Sequence, residues 1–218
     1  MPPNQGPRQH RANPEPALRI QDLHSAHGGP YTLDASKGEC IAIRGASGSG
    51  KSVFLRMVAD LDPNTGDVSL DGLPRARIPA PAWRRKVIYQ AAEAAWWEAT
   101  AAAHFSAAEK DLALPLLGRL GLAANLMDGP IERLSTGERQ RLALIRSLSR
   151  RPLVLLLDEP TSSLDQESTA AVEGLLRELM GKGLCLLMVT HSAEQGQRLG
   201  TRAMEIEQGR MHPLSSPA

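Results

Sequence analysis

The run Gly45-Ala46-Ser47-Gly48-Ser49-Gly50-Lys51-Ser52 constrains this chain more than any other stretch. It matches the pattern of a phosphate-binding loop. A short apolar segment, Cys40–Arg44, precedes it, and Val53, Phe54, Met57, Val58 and Leu61 follow at helical spacing. Strand, glycine-rich loop and helix in that order leave few folds open. Glycines let backbone N–H groups turn inward and approach phosphate oxygens closely. The helix N-terminus adds partial positive charge at the same point. Gly45, Ala46, Ser47, Gly48, Ser49, Gly50, Lys51, Ser52 and Val53 are therefore expected to cradle nucleotide phosphates. Lys51 is expected to reach the β and γ phosphates, and the Ser52 hydroxyl to ligate Mg²⁺.

Further along, Leu153–Leu157 is a continuous apolar run that ends in Asp158-Glu159. Such runs form strands buried on both faces of a parallel sheet. Acids at the C-terminal end of such a strand face the ligand crevice of an open α/β sheet. Asp158 is expected in the Mg²⁺ shell, and Glu159 as the base that orients and deprotonates an attacking water. A helix N-cap region is the other reading of this acid pair, since Pro160-Thr161 follow.

The remaining pattern alternates strand and helix. Strands are expected at Leu18–Leu23, Asp67–Leu70, Val87–Tyr89 and Leu184–Val189, with a final hairpin around Gln208-Gly209. Helices are expected over Ser135–Ser149 and Gln166–Met180, and in the Ala- and Leu-rich stretch from Glu98 to Leu126. The fold class is therefore α/β.

Composition bounds the rest. At 218 residues the chain suits one domain, and a net charge of +1 argues against a strong field for nucleic acid or anionic membrane. No stretch approaches the roughly 18 apolar residues of a membrane helix. Cys40 and Cys185 lie apart in apolar runs, which reads as buried free thiols in a reducing compartment. Residues 1–17 are rich in proline and read as a disordered tail without a signal peptide; 18–213 is the expected domain, and 214–218 a second tail.

Leu134-Ser135-Thr136-Gly137-Glu138-Arg139-Gln140-Arg141 resembles the signature motif of ABC transporter ATP-binding subunits, LSGGEKQR, with Thr136 in place of the first glycine. Asp158 to Asp165 resembles that family's Walker B to D-loop run, and Val189-Thr190-His191 its H-loop. The resemblance covers about residues 18–211. It implies a P-loop NTPase fold with a mainly parallel core sheet, an N-terminal antiparallel β part and a small helical subdomain at about 93–150. It also implies ATP and Mg²⁺ as cofactors, and catalysis by Glu159, His191 and Lys51. In this family Ser135 and Gly137 contact the γ-phosphate held by a second ATP-binding subunit, in a head-to-tail ATP sandwich. The implied function is ATP hydrolysis that powers a separate transmembrane permease, from a cytoplasmic position on the inner face of the membrane.

Two features depart from the family pattern. Gln90 is a candidate for the Q-loop glutamine that touches Mg²⁺, but the spacing to Trp96 and Trp97 puts that register on Ala92. His27 and Tyr31 are both candidates to stack on the adenine. The Trp96-Trp97 pair reads either as packing against the helical subdomain or as lining for the groove that receives a permease helix. Arg139, Arg141, Arg146, Arg150 and Arg151 read as a solvated helix face, with no nucleic-acid partner. Two other functions remain open, a soluble ATPase outside transport and a nucleotide-dependent module with little turnover. The compact size resembles export-type subunits, including those for metal (iron) efflux, so the cargo expectation leans that way.

Overall fold

The computed structural model describes residues 16–214. The tail expected over 1–17 falls outside this range up to residue 15. Ala17 is a correction to it: the residue is buried, and its carbonyl accepts from Asp71 N–H. Leu214 also belongs with the domain, since its N–H donates to the Ala203 carbonyl.

The chain opens with β1 (Leu18–Ser25) and β2 (Gly28–Ala35), an antiparallel pair. β3 (Cys40–Arg44) then leads through the glycine-rich loop into α1 (Lys51–Val58). β4 (Thr65–Leu70) and β5 (Leu73–Pro74) return to the first sheet, whose order is β2-β1-β4-β5. α2 (Ala80–Lys86) runs directly into β6 (Val87–Gln90). A largely helical part follows, with α3 (Ala107–Arg119) and α4 (Thr136–Leu148). β7 (Val154–Asp158), α5 (Gln166–Gly181), β8 (Cys185–Val189), α6 (Ala193–Leu199), β9 (Arg202–Glu207) and β10 (Arg210–Pro213) complete the domain. The second sheet has the order β10-β9-β3-β8-β7-β6 and is parallel except for the β9–β10 hairpin.

Alternation along the central strands separates two apolar cores. Ile41, Ile43, Val154, Leu156, Cys185, Leu187 and Val189 face one side, with α1 and the antiparallel sheet. Cys40, Leu155, Leu157, Leu186 and Met188 face the other, with residues of α3, α4 and α5. This explains why the strands are apolar without a polar alternate: both faces are covered. The two cysteines are buried free thiols on opposite faces, and burial pushes each up to about 12. Trp83 ties α2 to α1. Its ring is fully buried, and Nε1 donates to the Val58 carbonyl at 3.0 Å.

The stretch from Glu98 to Leu126 is less helical than its composition suggests. Ala101–His104 and Ala124–Met127 are short 3₁₀ turns, and only Ala107–Arg119 is α-helical. The His104 ring supplies the reason. Its Nε2 accepts from Trp97 N–H at 3.1 Å and Glu98 N–H at 3.2 Å, while Nδ1 donates to the Thr100 carbonyl at 3.0 Å. These bonds satisfy backbone groups that a helix would need. α3 starts only at Ser106, which forms a capping box with Glu109.

The solvated-face reading holds for Arg150 and Arg151, which are exposed, and is corrected for Arg139, Arg141 and Arg146, which are half-buried. Arg139 donates to the Leu134 carbonyl, Arg141 to Ser168 Oγ, and Arg150 to Glu109. Arg146 lies over the Trp96 ring at 4.4 Å and donates to the Ala95 carbonyl. Burial and the neighbouring Arg150 push the Arg146 guanidinium down to about 10.

Candidate functional site

The C-terminal ends of β3 and β7 are neighbours of β8 in the sheet, so the loops that follow them converge. They enclose a cavity of about 330 Å³ lined by Ser47, Gly48, Gly50, Lys51, Ser52, Val53, Ala92, Asp158, Glu159, Val189 and His191. A larger cavity of about 540 Å³ opens at the other end of the strands, beside Leu153 and Leu184, and shares none of these residues.

The loop is built for close approach. Gly50 caps α1 with φ +100°, and it makes no side-chain cap bond. The first N–H groups of the helix therefore have no partner of their own and point at the cavity end. Gly45 is required sterically: with φ +145°, a Cβ there would stand 2.3 Å from the Ile206 carbonyl oxygen. Lys51 folds back across the loop, where Nζ donates to the Gly45 and Ala46 carbonyls at 2.8 Å each. Ser49 Oγ is buried without a hydrogen-bond partner.

The acidic wall comes from β7. Asp158 is buried at the strand end, where Tyr89 Oη donates to its Oδ2 at 3.1 Å. Glu159 takes a positive φ of 48°, a left-handed conformation that a glutamate rarely adopts. Its N–H donates to the Val189 carbonyl, and its carbonyl accepts from Gln140 Nε2 at 2.8 Å. Gln140 Oε1 also accepts from Ser163 N–H, so one buried side chain of α4 clamps both ends of the Glu159–Ser163 turn. His191 Nε2 lies 3.4 Å from Glu159 Oε1, an ion-pair distance without hydrogen-bond alignment. Burial raises the Glu159 carboxyl above its ordinary range, against the opposing pull of His191.

The other expected residues lie apart from this cavity. Ser135 caps α4 in a box with Glu138. Gly137 sits against Ser163, where a Cβ would meet its carbonyl oxygen at 3.1 Å. Neither lines the cavity. Gln90 is paired with Leu157 inside the sheet, and its buried Oε1 has no partner. The cavity wall carries Ala92 instead. His27 is exposed in the β1–β2 turn, and its carbonyl comes near Gly50. Tyr31 is fully buried and packs edge-on against Phe54 at 4.9 Å, so it is not free to stack on a base. Trp96 packs against the second core, whereas Trp97 is 68% exposed.

Tyr89 and Gln140 were not among the residues singled out from the sequence for this site. Gln140 stood inside the signature run. Tyr89 gave no signal, because its contact with Asp158 spans 69 positions.

Residues 29–162 match the family model described as "ABC transporter". The chain belongs to the ABC transporter family. This ABC chain is 36% identical over 184 residues to an aliphatic sulfonates import ATP-binding protein of Cupriavidus necator; the match covers 82% of this chain and 60% of that protein. It is 34% identical over 225 residues to the octopine permease ATP-binding protein P of Agrobacterium tumefaciens, covering 89% and 86%. Among solved structures, a dimeric post-hydrolysis state of an ATP-binding cassette bound to ADP and Pi superposes with a TM-score of 0.77 at 23% identity, covering 91% of this chain and 99% of that one. The expected P-loop fold is thus the observed one, and the chain is an ABC-type ATPase domain. The names of the two relatives give no support to the lean towards export or iron efflux. No helix among the described residues is long and apolar enough to cross a membrane.

Proposed function

We propose that this chain binds and hydrolyses ATP to power a separate membrane permease, and that it does so as an ATP-sandwich dimer. The observation that carries the reading is the division of the site. Phosphate loop, Asp158, Glu159 and His191 share one cavity, while Ser135 and Gly137 stand outside it. A second copy facing the first head-to-tail would bring its Ser135 and Gly137 to the γ-phosphate. The free first turn of α1 and Lys51 hold the phosphates, Lys51 exchanging the Gly45 and Ala46 carbonyls for phosphate oxygens. Glu159, raised towards proton affinity by burial, takes the proton from the attacking water. His191 contacts the γ-phosphate from the end of β8, and the exposed His27 offers a ring for the adenine.

The donor set suits Mg²⁺. Ser52 and the buried Asp158 are oxygen ligands that line one cavity, the hard-donor chemistry this ion takes. When bound, the ion would neutralise charge on the phosphates. Gln90 has no part in this assignment, since the residue is buried and does not line the cavity.

The permease is proposed to dock over the helical part, where the exposed Trp97 lies beside the half-buried Arg146–Trp96 stack. A peripheral position on the inner face of the membrane follows, with no cargo assigned. The test is turnover of the purified chain with and without the membrane protein that co-purifies with it. Stimulation that is lost in Glu159→Gln supports the reading. Turnover that the membrane protein leaves unchanged contradicts the coupling.

A further inference from the structure

We propose that Tyr89 is a positioning residue for the metal site, holding the Asp158 carboxylate in the orientation that presents its other oxygen to Mg²⁺. The inference rests on the assignment of Asp158 to the metal shell. Strand alternation puts Tyr89 on the α1 face of the sheet, packed against the first core, while Ile88 belongs to the second. From there Tyr89 Oη donates to Asp158 Oδ2 at 3.1 Å. Asp158 lies at the end of the next strand, and no other described side chain makes a hydrogen bond to its carboxylate. Across the cavity the wall residue is Ala92, which has no polar atom to offer. Orientation of the carboxylate thus depends on the phenol.

The phenol is itself braced. Arg56 of α1 faces it and is held by Asp62 at 2.9 Å. A carboxylate with one oxygen held by a fixed donor keeps the other in a fixed direction. Outer partners of this kind change metal affinity by about 10-fold or more when removed.

The experiment compares Tyr89→Phe and Asp158→Asn with the unaltered chain. Tyr89→Phe removes only the hydroxyl and keeps the ring in its packing. Mn²⁺ binding in the presence of ATP, followed by electron paramagnetic resonance, reports the site without turnover. In Tyr89→Phe the Mn²⁺ dissociation constant should rise about 10-fold. Binding of a fluorescent ATP analogue in EDTA should stay unchanged. The half-saturating Mg²⁺ for turnover should rise in step. Unchanged Mn²⁺ affinity in Tyr89→Phe, with loss in Asp158→Asn, overturns the proposal and leaves the metal assignment standing. Unchanged affinity in Asp158→Asn overturns that assignment as well. Equal loss of metal-free nucleotide binding in Tyr89→Phe would show a packing role and also overturn it.

Discussion

Lys51 commits two of its three donors to carbonyls of its own loop. Those bonds keep the ammonium at the cavity and must be exchanged when phosphate arrives. Lys51→Ala should therefore abolish ATP binding at concentrations that saturate the unaltered chain, with the fold intact by circular dichroism; binding of a fluorescent ATP analogue checks it. Glu159 presents the opposite situation. Its strained backbone is held by bonds from Gln140 and to Val189. Gln140→Ala should lower turnover by about 10-fold or more while nucleotide affinity changes little, since a small misplacement of a catalytic group costs rate rather than binding. A turnover assay beside a binding titration separates the two. At this scale the sequence is informative where a motif is contiguous. Lys51, Ser52, Asp158 and Glu159 could be named because strand, loop and acid pair are local patterns. Tyr89 could not, because its contact with Asp158 depends on the register between β6 and β7.

Elements differ in how well their limits can be read. α4 was expected over Ser135–Ser149 and spans Thr136–Leu148, since Ser135 and Glu138 form a capping box legible in the sequence. The same box at Ser106 and Glu109 sets the start of α3, yet the alanine-rich composition before it hides the boundary. The His104 bonds that keep residues 97–104 out of an α-helix are side chain to backbone, and composition does not carry them. Ser106→Ala should destabilise the chain by about 1 kcal/mol through the lost cap, with ATP affinity unchanged. Denaturant unfolding monitored by circular dichroism measures the first part. Ala92→Gln tests the register of the loop after β6. It adds a polar side chain at the cavity wall, so coupling to the permease should rise or hold. Gln90→Ala should leave Mg²⁺ dependence unchanged, as Gln90 sits in the sheet.

Across the whole molecule, the α/β core follows from apolar runs buried on both faces and a phosphate loop, while the antiparallel sheet and the helical part follow the plan that the resemblance to ABC ATP-binding subunits implies. The quaternary arrangement is the part that one chain cannot encode in its own contacts. Ser135 and Gly137 open a helix away from the cavity that they are proposed to complete. The most direct measurement is the molar mass of Glu159→Gln in saturating ATP and Mg²⁺, by size-exclusion chromatography with light scattering. Without nucleotide, a mass near the 23.5 kDa of the single chain is expected. With ATP the account predicts a shift to twice that mass, abolished by adding Lys51→Ala. A Glu159→Gln chain that binds ATP and stays monomeric, both alone and with its permease, would contradict it.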